Sequence, residues 1–419
     1  MSGGIVQLVA TGVQDEWLTG KPEISFYRSN YKRYTHFART MERQTLQGMP
    51  AAGGISTIRL EKKGDLVSYM YLTARDQNNA TVANLDWSQV IQRVQLYIGG
   101  QEIDSQDFQW MSDVEPVVGA QNANQRYLNG LTPTPTIATN QVATFFPLKF
   151  WFNKDWMCAL PVVSLAFHDV EVRITWANTL GNAVSTQVPS GTTSTTASVT
   201  GNYNQLSYQL WTNFVYLDAA EREYFAKTDM DLLITQVQRV PIGSQNVQEL
   251  ALAHPIKYLA FQAKPYGSAA IYNSGAATTP AATYYTLRQQ INGNDVGEDR
   301  SIAAFMEANQ YFHTMYGYVP MPVGSQLIAP VAIIPFCLDT CKFQPTGTLN
   351  FSRLDTYRLV TPVQLTNGLL GLCQSATTYT NTGNAVTGLR GSPGINYLYA
   401  VNYNILRIQK GMGGLLYAN

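Results

Sequence analysis

A chain of 419 residues with 45% hydrophobic side chains has material for two domains, each with a sizeable core. Charged residues are only 13% of the chain, about half the usual ~25%, and 28 basic side chains balance 28 acidic ones. That neutrality removes the phosphate neutralisation that drives nucleic-acid binding. Asn, Gln, Ser, Thr and 25 Tyr must then supply the polar surface, a composition easier to bury against a partner than one rich in Lys and Glu.

In chain order, Met1-Ser2-Gly3-Gly4-Ile5 has neither the basic start nor the apolar stretch of a signal peptide. With only four cysteines, this predicts a reducing compartment without disulfides. A basic cluster follows: Arg28, Lys32, Arg33, Arg39 and Arg43, interleaved with Tyr27, Tyr31 and Tyr34. Such a mixture can bind single strands, but it is short and is read here as solvated charge. Period-two alternation predicts strands at Ser56–Leu60, Val94–Ile98 and Val170–Trp176. Further β-rich runs are Leu66–Thr73, Leu206–Leu217, Leu232–Val240, Tyr258–Gln262, Val331–Leu338 and Tyr397–Ile408. Many short strands separated by Gly, Pro, Asn, Ser and Thr predict β-sandwiches or barrels.

One helix is clear, Asp218–Lys227. Asp218 caps it, Glu221 follows three residues later, and Lys227 suits its C-terminal end. It lies near the midpoint and is expected to join two β-domains. Thr132–Thr144, Gly181–Asn204, Gln374–Gly394 and Gly267–Thr283 are expected as long loops, since uncharged Ser/Thr/Gly tracts build no core. Pro161–Phe167 and Pro255–Phe261 share a short pattern, too short to establish a repeat. The longest apolar run, Leu327–Leu338, is broken by Pro330 and Pro335 and falls short of the ~20 residues that span a bilayer.

Motifs for chemistry are scarce. His168, Asp169 and Glu171 are the densest ionisable cluster, but on a strand His168 faces away from the two acids, so a structural histidine is expected. Cys337 and Cys341, on a predicted strand, would lie ~13 Å apart, too far for one tetrahedral metal unless the strand ends; they read as small buried residues. Thr19-Gly20-Lys21-Pro22 lacks the rest of a phosphate loop. Paired acids, Glu298 with Asp299 and Asp229 with Asp231, sit in polar or connector context. No motif supports an enzyme, and no catalytic residue, cofactor or metal is predicted. Asn79-Ala80-Thr81 and Asn350-Phe351-Ser352 make Asn79 and Asn350 candidate glycosylation sites. For Asn350 a structural role after the turn Gln344-Pro345-Thr346-Gly347-Thr348 is favoured. Gly411-Met412-Gly413-Gly414 gives the backbone freedom where the last strand turns. A β-sandwich glycan hydrolase or lyase and a carbohydrate-binding or adhesion module remain as alternatives; Tyr272, Tyr284 and Tyr285 speak for the second.

Several segments resemble the major capsid proteins of nucleocytoplasmic large DNA viruses, in particular the chlorella-virus type. They include Gly3–Pro22, Ile24–Tyr27, Tyr31–Ala38, Gly64–Val67, Ile98–Asp104, Pro147–Phe152 and Ala159–Pro161. In the second half they are Leu217–Ala226, Gln344–Asp355 and Asn402–Leu415, collinear with the first set. The resemblance implies an all-β chain of two tandem eight-stranded jelly-roll sandwiches joined by the short helical connector. The expected layout is an N-terminal extension 1–22, jelly roll 23–217, connector 218–231 and jelly roll 232–419. It further implies a structural protein of the virion, assembled in the infected host cytoplasm. Homotrimers would form pseudo-hexagonal capsomers that contact neighbouring capsomers and minor capsid proteins, with no direct nucleic-acid contact and no membrane insertion. A minor capsid protein is the alternative within the virus. Ser2–Pro22, poor in core-forming residues, is expected to reach those neighbours.

Overall fold

The computed structural model describes residues 3–82, 85, 87–121, 144–184, 201–262, 286–315, 331–363, 368–372, 379–381, 384–386 and 397–417. The chain divides into two units, Met1–His36 and Phe37–Asn419. In the first, the short helices Gly3–Val9 and Glu16–Thr19 bury none of their residues. Trp17, Phe26 and Tyr27 are among its exposed side chains.

The second unit opens with eight strands: β1 (Phe37–Gln44), β2 (Ile55–Arg59), β3 (Leu66–Arg75), β4 (Ile91–Ile98), β5 (Gln101–Asp107), β6 (Phe145–Pro147), β7 (Val170–Trp176) and β8 (Ser207–Leu217). They form two four-stranded sheets, β1-β8-β3-β6 and β2-β7-β4-β5. All their pairings are antiparallel. Alternation decides which face is inside: on β7, Val170, Val172, Ile174 and Trp176 are buried, while Glu171, Arg173 and Thr175 are half-buried.

The helix Ala219–Lys227 follows, and Asp218 accepts from the Ala219 N–H at 2.9 Å, as its sequence predicts. It buries no residue and is held by polar contacts: Arg222 pairs with buried Asp65 at 3.0 Å, and Ser164 Oγ donates to the Phe225 carbonyl at 2.6 Å.

The same topology then repeats. Its strands are β9 (Met230–Pro241), β10 (Val247–Glu249), β11 (Pro255–Gln262), β12 (Thr286–Ile291), β13 (Asn294–Ser301), β14 (Val331–Pro335), β15 (Leu349–Asn350), β16 (Tyr357–Val360), β17 (Tyr379–Asn381), β18 (Asn384–Val386), β19 (Tyr397–Gln409) and β20 (Met412–Leu415). One sheet runs β9-β19-β11-β14, with β15 beside β11 and β20 folding back on the end of β19; the other runs β10-β16-β12-β13. Position by position, β9, β10, β11, β12, β13, β14, β16 and β19 repeat β1 to β8, so the fold is a double jelly roll.

The duplication is one of topology, not sequence. Pro161–Phe167 contains a 3-10 turn at Val162–Ser164, whereas Pro255–Phe261 is strand, so that short match is no structural repeat. Both sandwiches turn from their fourth to their fifth repeat strand through two residues of positive φ, Gly99-Gly100 and Asn292-Gly293. In both, the fifth strand runs into a helix that starts with a π turn. These are Trp110–Val114 continuing into Glu115–Val118, and Ala304–Ala308 continuing into Asn309–His313. Sequence reading missed both helices. The expected loops lie largely outside the described residues; within Gln374–Gly394, β17 and β18 pair as a short hairpin where only loop was expected.

Candidate functional site

Where the sandwiches meet, the edge strand β5 lies across the outer face of β9 and β19. Val237 N donates to Asp104 Oδ1 at 3.0 Å, Gln236 Nε2 donates to the Ile103 carbonyl, and Leu415 N donates to Gln101 Oε1 at 3.2 Å. Tyr399 OH donates to Asp107 Oδ2 at 2.9 Å, and Arg239 stands 3.5 Å from the same carboxylate. The π turn adds Trp110, whose ring lies 5.4 Å from that of Tyr399. At the far end of the helix, Thr340 Oγ1 donates to the Val118 carbonyl at 2.8 Å. The sheet β9-β19-β11-β14 is thereby buried on both faces. Tyr258, Ala260, Ile333, Tyr399 and Val401 join the core of the first sandwich, while Leu259, Phe261, Ala332, Ile334 and Leu398 fill that of the second. This accounts for β11 being buried at every position from Ile256 to Gln262, with no alternation.

Burial shapes the charges in this seam. Desolvation pushes the Asp104 and Asp107 carboxyls up to about 6, opposed by the hydrogen bonds from Val237 and Tyr399. Glu115 is also fully buried, which would raise it, but Lys149 at 2.9 Å and Lys154 at 3.3 Å hold it below the ordinary carboxyl value. Lys257 is lowered by burial to about 8 and donates to the Lys342 carbonyl at 2.8 Å. Every one of these groups is occupied in holding the two sandwiches or their loops together.

The residues singled out from sequence are dispersed. His168 Nδ1 sits against the Gly413 backbone, 3.1 Å from its N–H, Asp169 pairs with Arg59 and with Lys62 at 3.7 Å, and Glu171 pairs with Arg173 at 3.0 Å. No cluster of three or more metal-ligating side chains occurs among the described residues. The strand predicted through Cys337 and Cys341 ends at Pro335, so both cysteines lie in the following turns rather than spaced along a strand. They are buried, as is Cys158, and all three are free. Burial raises Cys158 to about 12 and Cys337 to about 11, which keeps them as unreactive thiols. Cys373, Tyr272, Tyr284 and Tyr285 lie outside the described residues. Asn79 is exposed at φ 62° and accepts from Arg75 at 3.0 Å; Asn350 is exposed and accepts from the Ser352 N–H at 3.1 Å, capping the turn Phe351–Arg353. Asp231 forms a two-pronged pair with Arg407 at 2.8 Å, and Glu298 and Asp299 lie on the edge strand β13.

Two surfaces have counterparts in the seam but stay partly exposed. The outer face of β1-β8-β3-β6 carries Arg43, Trp211 and Tyr71 in one cross-strand row, with Phe145 packed edge-on against Tyr71 at 5.5 Å. Trp156 stands beside Tyr69 on this face and is 66% exposed. The other surface is β13 with its helix, where Tyr311 and Phe312 are 71% and 74% exposed.

Known proteins give this arrangement a context. The profile "Major capsid protein N-terminus" matches residues 25–218, and "Large eukaryotic DNA virus major capsid protein" matches residues 221–414. The chain is 30% identical to the major capsid protein of Paramecium bursaria Chlorella virus 1 and 29% identical to that of Pyramimonas orientalis virus, each over the full length of both proteins. Among solved structures it is similar to a chain of the PBCV-1 virus capsid, in a quasi-atomic model, with a TM-score of 0.67 and 26% identity. That match covers 94% of this chain and all of the other.

Proposed function

The chain belongs to the large eukaryotic DNA virus major capsid proteins, and on that premise we propose that three copies close into a pseudo-hexagonal capsomer that tiles an icosahedral shell. The observation that carries this reading is the seam. Two sandwiches of one topology are locked together by a sheet buried on both faces, so each chain is a two-lobed block and three chains supply six lobes. Lobes of one topology with different surfaces suit near-sixfold lattice positions. Within this reading the sandwiches occupy 23–217 and 232–419 around the connector 218–231. Residues 1–22, with their exposed apolar side chains, contact neighbouring capsomers or minor capsid proteins. The shell is assembled in the host cytoplasm, and no segment meets nucleic acid or enters a membrane.

Light scattering on the purified chain tests the reading. A concentration-independent mass about three times the chain's 46.4 kDa is expected, and a strict monomer would overturn self-sufficient trimerisation. Deleting Ser2–Pro22 should leave that mass per chain count unchanged and weaken assembly of trimers into lattices, scored by electron microscopy.

A further inference from the structure

We infer that the buried spot between β11, β19 and the turn after β14 is a binding site for a small monovalent anion of the halide class, held by Lys257 Nζ, Tyr403 OH and the Cys337 thiol. The site does not depend on the capsomer reading.

A bulge puts a charge in the interior. Strand β11 pairs Ile256 with Asn402 and Tyr258 with Val401 on β19, so Lys257 is the extra residue between two ladder pairs. Its side chain is only 5% exposed. Tyr403, further along β19, is 6% exposed, and the Lys257 ammonium lies 5.9 Å from its ring centre. Cys337, just past the end of β14, is buried and within electrostatic reach of both Lys257 and Tyr403. Tyr258 in turn senses Glu115, Cys341, Cys337 and Tyr403, which ties the group to the seam.

Donors outnumber acceptors at this spot. Lys257 gives one N–H to the Lys342 carbonyl at 2.8 Å, and among the described residues it has no ion-pair partner. The Tyr403 hydroxyl is buried and has no hydrogen-bond partner among the described residues. Burial pushes the phenol up to about 12 and the Cys337 thiol up to about 11, so both keep their protons at neutral pH. The carboxylates nearby are committed: Glu115 to Lys149 and Lys154, and Asp339 to Lys342 and the Cys341 N–H. Burial lowers Lys257 to about 8, and the like charge of Lys154 acts in the same direction. A buried ammonium is strongly unfavourable unless it is paired. An anion accepting from ammonium, phenol and thiol supplies the missing charge and satisfies the orphan hydroxyl together. Water would satisfy the hydroxyl and leave the charge unpaired. Three single-point donors without an arginine fork suit a spherical ion better than a planar carboxylate or a phosphate.

Thermal unfolding of the full chain at pH 7 tests the site, with sodium chloride replacing sodium gluconate at constant ionic strength so that screening stays fixed. The midpoint should climb with the logarithm of chloride concentration above its Kd, as for any ligand of the folded state. Bromide should act likewise, and the response should fade as pH rises above about 8, where Lys257 loses its proton. Lys257→Met should abolish the response. Tyr403→Phe should raise the chloride concentration required by about tenfold, the weight of one hydrogen bond to a charged group. In a crystal soaked in bromide, the wild-type chain should show an anomalous peak within hydrogen-bonding distance of Lys257 Nζ and Tyr403 OH, a readout that decides the matter even if the variants do not fold. Equal melting in chloride and gluconate would overturn the site, and so would a bromide-soaked crystal with no peak there, giving the hydroxyl to a water. A chloride response that survives Lys257→Met would place the ion elsewhere and overturn it as well.

Discussion

Asp104 and Asp107 set the pH response of the fold. Each titrates near 6 in the folded chain, against 3.8 for an unperturbed side chain. A carboxyl whose pKa is raised on folding takes up a proton as the chain folds anywhere between those values. Its contribution to stability is therefore fully present below about 3.8 and is lost as pH rises through about 6. Lys257, titrating near 8, and Glu115, held below its ordinary 4.5, change little between pH 5 and 7.5. The melting temperature should therefore rise as pH falls from 7.5 to 5, by the equivalent of roughly 1–3 kcal/mol for the two groups together. Thermal unfolding monitored by circular dichroism checks this, with Asp104→Asn/Asp107→Asn as the control. Asparagine keeps the acceptor oxygen for Val237 N–H or Tyr399 OH and removes the titration, so the slope should flatten. A wild-type profile that falls towards pH 5 would show that these carboxyls are not the controlling groups.

At the scale of elements, tight turns fix the strand register. The β19–β20 hairpin turns through Lys410 and Gly411, both at positive φ, with Gln409 opposite Met412. A Cβ on Gly411 would stand 2.7 Å from the Phe167 ring, which is exposed and free to yield, so the penalty of Gly411→Ala is mainly conformational. It should cost about 1–2 kcal/mol, while Lys410→Asn, which makes the preferred Asn-Gly pair, should gain a few tenths; denaturant titration distinguishes the two. Strands such as β2, β4 and β7 and the connector helix were legible because their signals are local: alternation and an Asp cap. The last turn was expected over Gly411–Gly414, but only Gly411 of these lies in it, since Met412–Leu415 is β20. The two π-turn helices were not legible. Phe108–Ala120 is buried nearly throughout, so it has no polar face to create a helical period. The predicted strand through Cys337 failed for a related reason, since Val331–Leu338 is apolar without alternation and periodicity cannot locate its end.

The whole molecule is held by a seam that sequence could not reveal, because it joins residues such as Asp107 and Tyr399 that are 292 positions apart. Composition gave only its outline: few charges and many tyrosines. The consequence is that the two sandwiches are not independent domains. Cutting at the connector would expose Tyr258, Tyr399 and Val401 on a sheet face that the first sandwich now covers, an apolar patch large enough to drive association. The second sandwich expressed alone, 230–417, should therefore aggregate or need detergent. Adding the separately expressed first sandwich, 37–217, should rescue it as a one-to-one complex in size-exclusion chromatography. The rescue should weaken with Trp110→Ala, which removes the ring packed on Tyr399 and a buried aromatic contribution of about 3–5 kcal/mol. A second sandwich that is monomeric and soluble by itself would mean that the seam adds little, and that each chain is two tethered lobes instead of one rigid block.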